Sequence, residues 1–313
     1  MEREYIGCST CQGIIHGFVK EKEADLVEAP DSDNAPTEDG QPAEAATPIE
    51  LLWPVGQVFQ VWILNTADKS KFTKHIEYVK EGVKEWEKYA NVSFTFPEVW
   101  DKNSPPEVRL RFFKKGLHIV PEDPHHNIRA GNWSYVGKTC ELVVEDDIEP
   151  NFWNPNMSLE PAELRRYGED FKATILHEFG HFLGFMHEHQ RPDAQFLINY
   201  NMAAVYSNYQ GMGWNKKKVD EQVLAFHYYK DKSAIAGTKF DTTSIMMYDL
   251  PPEILMDPTK AVPKNMRLSK LDKEFVAKIY PKGTEERERT WDAADIIPDP
   301  GEIIPSQPLN STQ

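Results

Sequence analysis

Residues 177 to 187 read His-Glu-Phe-Gly-His-Phe-Leu-Gly-Phe-Met-His. His177 and His181 are four positions apart, so on a helix they stand one above the other on one face and can share a single metal ion. Glu178 lies beside them, placed to reach a water on that metal without being a ligand itself. Gly184 can take φ > 0, which ends the helix and turns the chain so that His187 returns as a third ligand. Three neutral nitrogens and one open position describe a catalytic zinc site, whereas a structural site is closed by four protein ligands. The short pattern His-Glu-x-x-His does arise by chance. Here the longer string fixes five positions together, and Ile175, Leu176, Phe179, Phe182 and Leu183 would bury the helix that carries them.

The carrier is a helix expected over 161–183, with an interruption near Gly168. A second long helix is expected over 69–90. Its apolar residues Phe72, Ile76, Val79, Val83 and Trp86 recur at steps of four, three, four and three. Strands are expected at 57–64, 92–96, 108–113, 132–136 and 141–145. Ser269 and Asp272 resemble the capping pair of a final helix. Residues 199–243 carry few periodic signals and are expected to be irregular with short helices. Residues 21–49 are rich in Glu, Asp, Ala and Pro and cannot bury enough surface to offset their ordering entropy. The organisation is therefore an acidic extension over 1–49, a catalytic domain over 50–282 and a tail over 283–313.

The long zinc string is the form found in metzincin metallopeptidases. Ser-Ile-Met-Met-Tyr at 244–248 looks like the turn that metzincins place beneath the metal. Within that clan, Gly184-Phe-Met-His-Glu188 followed by Arg191-Pro192-Asp193 resembles the astacin family. The resemblance implies an α+β fold of metzincin type: a twisted, mostly parallel sheet backed by two long helices, plus a largely irregular C-terminal subdomain with a closing helix. It implies that Met246 packs under the metal and that Tyr248 is an extra ligand that swings away when substrate arrives. Glu188 would help to anchor the mature N-terminus. Trp133, Ser134, Tyr135 and Val136 sit where the family has the edge strand that holds substrate. Leu52-Trp53-Pro54 looks like the start of the domain, and Leu268–Asp272 with Ile279-Tyr280-Pro281 looks like its closing helix. The implied activity is that of a zinc-dependent metalloendopeptidase with one catalytic Zn²⁺, acting on protein or peptide substrates through a zinc-bound water activated by Glu178. The paired disulfides of animal astacins are missing, because only Cys140 falls inside the domain, and no Phe-x-Gly-Asp latch precedes it. A divergent, cysteine-poor branch describes the chain better.

Composition bounds the alternatives. The net charge is −15 with pI near 5.2, which argues against nucleic acid and anionic membrane surfaces as partners. No stretch approaches the roughly 18 apolar residues that would span a membrane. A monomer is expected. The N-terminus shows no signal-peptide pattern, and with three cysteines the chain is expected to be intracellular or exported non-classically, although the family is usually secreted. Cys8 and Cys11 form one Cys-x-x-Cys: unpaired thiols, a local bridge, or a thiolate that caps the zinc. Sequons at Asn91, Asn132, Asn156 and Asn310 matter only in a secretory pathway. His125 and His126 are expected in a loop, with a second metal as the alternative. A binding module that has lost catalysis would most simply lack Glu178 or a histidine, and none is missing. A self-inhibited enzyme, with residues 1–49 in the cleft, would differ only in regulation.

Overall fold

The computed structural model describes residues 47–283 apart from 65–69, 100, 102–103, 113–130, 143–154, 192 and 226–234. Along the chain run β1 (Thr47–Pro48), β2 (Val58–Ile63), α1 (Thr73–Glu87), β3 (Ser93–Thr95), β4 (Val108–Phe112), β5 (Trp133–Ser134) and β6 (Met157–Leu159). Then follow α2 (Leu164–Phe182), α3 (Ala194–Leu197), α4 (Met202–Gly211), α5 (Lys216–Val219), β7 (Ile235–Ala236) and α6 (Lys270–Ile279). Five strands form one sheet in the order β3-β2-β4-β6-β5. All neighbours are parallel except β5, which runs antiparallel to β6 at the edge. β1 and β7 form a separate antiparallel pair.

Strand alternation decides which residues meet the helices. Phe59, Val61 and Ile63 of β2 and Val108, Leu110 and Phe112 of β4 enter the main core with Val79, Val83 and Trp86 of α1 and Ile175, Phe179 and Phe182 of α2. The two backing helices expected from the sequence are α1 and α2. They approach closely because α1 carries a glycine at the contact: a methyl on Gly82 would lie 2.4 Å from Cγ2 of Ile175. Trp86 Nε1 also donates across the interface to the Leu176 carbonyl at 3.1 Å. Gly82→Ala should therefore lower the thermal midpoint. The alanine gains up to about 1 kcal/mol of helix propensity. It overpacks a core at about 1–3 kcal/mol, and the β-branched Ile175 has little rotamer freedom with which to yield. Each net kcal/mol moves the midpoint by about 2–4 °C in a domain of this size. A midpoint that stays or rises in a melting experiment would contradict this packing.

α2 is interrupted at Tyr167 (φ −125, ψ 23), one residue before the expected position. Its C-terminal carbonyls are not left bare. Trp53 Nε1 donates to the Phe182 carbonyl at 2.7 Å and the Tyr280 hydroxyl donates to the Leu183 carbonyl at 2.9 Å. The Tyr280 oxygen accepts in turn from the Trp53 N–H at 3.2 Å. Two segments 227 positions apart thus converge on the end of one helix. α6 begins with the expected capping box between Ser269 and Asp272. A second apolar cluster, including Val205, Tyr209, Val219, Met247, Leu250 and Ile254, fills the C-terminal subdomain.

Some expectations need correction. Residues 137–142, whose last two opened an expected strand at 141–145, form a 3₁₀ helix, and 143–145 lie outside the described residues. Thr139 bends the chain there, its N–H and hydroxyl both donating to the Val136 carbonyl, at 3.1 and 2.6 Å. The edge strand expected over 132–136 is limited to Trp133–Ser134. Tyr135 N still pairs with the Asn156 carbonyl, but Val136 has left the sheet. The strand β6 had no counterpart in the sequence reading. No described helix is long and apolar enough to cross a membrane. The sequons at Asn132 and Asn156 cannot carry glycans in the folded chain. Both side chains are buried and hold backbone groups: Asn132 Oδ1 accepts from Glu160 N, Asn156 Oδ1 accepts from Arg109 N, and Asn156 Nδ2 donates to the Glu107 carbonyl. Asn310, Cys8, Cys11, His16, His118, His125, His126 and His227 lie outside the described residues.

Candidate metal centre and active site

α2 delivers His177 and His181 one turn apart, with both rings buried. Gly184, at φ 105, reverses the chain, and its N–H donates to the His181 carbonyl at 2.8 Å. An L side chain rarely adopts this backbone conformation, so glycine is what the turn requires. The reversal brings His187 back. Its Nε2 lies 3.1 Å from His181 Nε2 and 3.2 Å from His177 Nε2. These three are the only group of potential ligands brought together in this way among the described residues.

The other ring nitrogens determine what the cluster can do. His177 Nδ1 lies 2.7 Å from the Ile245 carbonyl, His181 Nδ1 2.8 Å from the Phe185 carbonyl, and His187 Nδ1 2.8 Å from Gln190 Oε1. All three partners are acceptors, so each Nδ1 carries the hydrogen and each Nε2 presents a lone pair to the common point. Burial pushes the His177 imidazole down to about 4, with Lys264 adding to the effect. Burial and the neighbouring rings of His181, His189 and His177 hold His187 well below the ordinary range. Burial thus favours the neutral form of the His177 and His187 rings. The spacing also fits one tetrahedral metal: with nitrogen ligands at about 2.0–2.1 Å, two ligand nitrogens lie about 3.3 Å apart. The donor set suits zinc with its fourth position open.

Glu178 is fully buried, adjacent in sequence to the first histidine. Tyr248 stands beside the cluster, its ring centre 4.5 Å from that of His187 and stacked on His189 at 4.2 Å. His189 itself donates to the Gln222 carbonyl at 3.1 Å. Met246 lies beneath the helix. A methyl added to Gly180 would meet its sulfur at 2.5 Å and Trp86 at 3.3 Å, so Gly180 is the space that the methionine fills. The Met246 carbonyl accepts from the Glu188 N–H at 3.1 Å, tying the turn to the third-ligand segment. Glu188 Oε1 accepts from Arg191 at 3.2 Å and from the Asp241 N–H at 2.7 Å. Arg191 also bridges to Asp193 at 2.9 Å, so one guanidinium faces two buried carboxylates. Burial lifts the Glu188 carboxyl to about 8, against the pull of Arg191. Trp133 and Ser134 lie at the sheet edge. Trp133, Ser134 and Val136 are buried, and Tyr135 is half-buried.

Sequence reasoning missed the groups that orient the ligands. Gln190, three residues after His187, was visible as a polar neighbour. The carbonyls of Ile245 and Phe185 have no signature in residue types.

The comparisons with known proteins point the same way. A profile of the peptidase family Astacin matches residues 166–253, which take in most of α2, the three histidines and Tyr248. Astacin-like metalloprotease toxin 4 of Loxosceles laeta is 35% identical over 91 residues, 29% of this chain and 68% of that protein. This chain belongs to the astacin family. Zinc metalloproteinase nas-27 of Caenorhabditis elegans is 27% identical over 157 residues, 45% of this chain and 33% of that one. The chain therefore spans about a third of that relative, and 52% of zinc metalloproteinase nas-2 from the same animal. The structure of myroilysin superposes with a TM-score of 0.61 at 28% identity, covering 76% of this chain and all of that one. The mostly parallel five-stranded sheet with its two long helices is thus the fold expected for a metzincin of the astacin family.

Proposed function

We propose that the chain is a zinc-dependent metalloendopeptidase, with residues 50–282 as its catalytic unit. The observation that carries this reading is the convergence of three Nε2 lone pairs, each fixed by a hydrogen bond at Nδ1, with a buried carboxylate on the same helix. His177, His181 and His187 would hold one zinc, which when bound supplies a Lewis acid that lowers the pKa of water to about 7 and polarises a carbonyl. Glu178 takes a proton from the attacking water and delivers it to the leaving amine. Burial keeps it out of bulk water, which strengthens its interaction with the developing charge. Tyr248 donates from its hydroxyl to the oxyanion. Trp133 to Tyr135 at the sheet edge offer backbone groups to an extended peptide, which adds as a further strand. Met246 supports the ligands from below and Gly184 sets their turn. Incubation with an unfolded protein, followed by mass spectrometry of the products, tests the reading. Cuts within the chain are expected; a folded preparation that makes none in the presence of zinc would overturn it.

Tyr248→Phe should lower turnover while zinc content stays unchanged, because the three histidines suffice for the metal. Removal of one oxyanion donor costs about 10²–10³-fold in turnover, and a supporting donor somewhat less. KM should move little. An unchanged turnover number would reduce Tyr248 to a packing partner of His189.

A further inference from the structure

Three hydrogen bonds run from the metal cluster to the closing helix. His177 Nδ1 donates to the Ile245 carbonyl at 2.7 Å. The N–H of that same peptide group belongs to Met246 and donates to Ser244 Oγ at 3.0 Å. The Ser244 hydroxyl donates to Asp272 Oδ1 at 2.7 Å. Every donor faces the same way, from imidazole through peptide and hydroxyl to carboxylate. Ser244 and Asp272 are both buried, so the chain is shielded from competing water. Asp272 is held in register by two further donors on Oδ2, the N–H groups of Ile245 and Ser269, both at 2.8 Å.

We propose that Ser244 and Asp272 are positioning residues for His177, a hydroxyl–carboxylate relay that acts through the Ile245–Met246 peptide to fix the ring and raise its basicity toward the metal. The physical basis is that hydrogen bonds aligned head to tail polarise one another, more so in a low-dielectric interior. A negative end-group draws the chain of protons toward itself and leaves the far imidazole richer in electron density at Nε2. A carboxylate bound directly to a ligand histidine has this effect at many metal sites, and its loss costs about 10–100-fold in metal affinity. Here the carboxylate acts at a distance of one hydroxyl and one peptide group. The closing helix is thereby joined to the metal centre: its capping residue Asp272 serves both the helix N-terminus and the turn under the zinc.

This rests on the zinc reading, and metal affinity tests it apart from catalysis. The measurement is a competition titration of zinc against a chromophoric chelator with the full chain. Ser244→Ala removes the middle link and leaves the Ile245 and Ser269 bonds to Asp272 in place. It should bind zinc about tenfold more weakly, at the low end of the range for such partners. Asp272→Asn keeps the shape. Its amide would donate to Ser244 Oγ where the carboxylate accepted, which reverses the last link, and affinity should fall in the same sense. The double variant should lose no more than the worse single one, because both cut one chain. Ser269→Ala is the control. It removes the capping acceptor of the Asp272 N–H, which lies outside the relay. It should lower the thermal midpoint and leave zinc affinity as in the unaltered chain. A Ser244→Ala affinity within twofold of the unaltered chain overturns the relay, as does an equal loss in Ser269→Ala. A folded, unaltered chain that binds no zinc overturns the zinc reading itself, which is a different result.

Discussion

Replacing Glu178 with glutamine is expected to leave zinc bound and to slow peptide hydrolysis by about 10²–10⁴-fold. Glutamine matches the shape of the buried glutamate but cannot take a proton. The three histidines do not depend on it: their Nδ1 partners are Ile245, Phe185 and Gln190. Metal content and the thermal midpoint should therefore be retained while turnover collapses. This separates a general base from a structural carboxylate, whose removal would disturb folding as well. Turnover above about a tenth of normal, a loss smaller than the low end of the general-base range, would show that another group accepts the proton.

The centre was legible because helix geometry converts spacing into position. His177 and His181 needed only a helix, and Gly184 was the one residue type suited to a backbone at φ 105. The helix around Trp86 was equally plain, since its apolar residues keep step with the turn. The sheet was less so. β6 is three residues long, with no alternation that stands out from its surroundings. The expected strand at 141–145 looked right by composition but is preceded by Thr139, whose side chain bonds the Val136 carbonyl and starts a 3₁₀ turn. In the C-terminal subdomain, α4 is anchored by Asn201, whose side chain accepts from the Ala204 N–H, and buries only Val205 and Tyr209. Two buried side chains in ten residues leave almost no periodic signal. Least legible of all were the ligand-orienting carbonyls, because every residue owns one and only the fold decides which is aimed.

Metal removal is expected to have an effect at least as large as the loss of Glu178, since it takes away the Lewis acid that activates the attacking water and polarises the carbonyl. If zinc binds the folded site and not the unfolded chain, saturation at 100 times Kd should stabilise the protein by about 2.7 kcal/mol. The metal-free chain should melt earlier, and zinc should restore both midpoint and hydrolysis. The most direct measurement is zinc content against peptide-hydrolysing activity, on one preparation, before chelation, after it and after zinc is returned. The account predicts about one zinc per chain, activity lost with the metal, and activity regained in proportion to the zinc restored. A folded preparation that cleaves peptides with no zinc bound would contradict it.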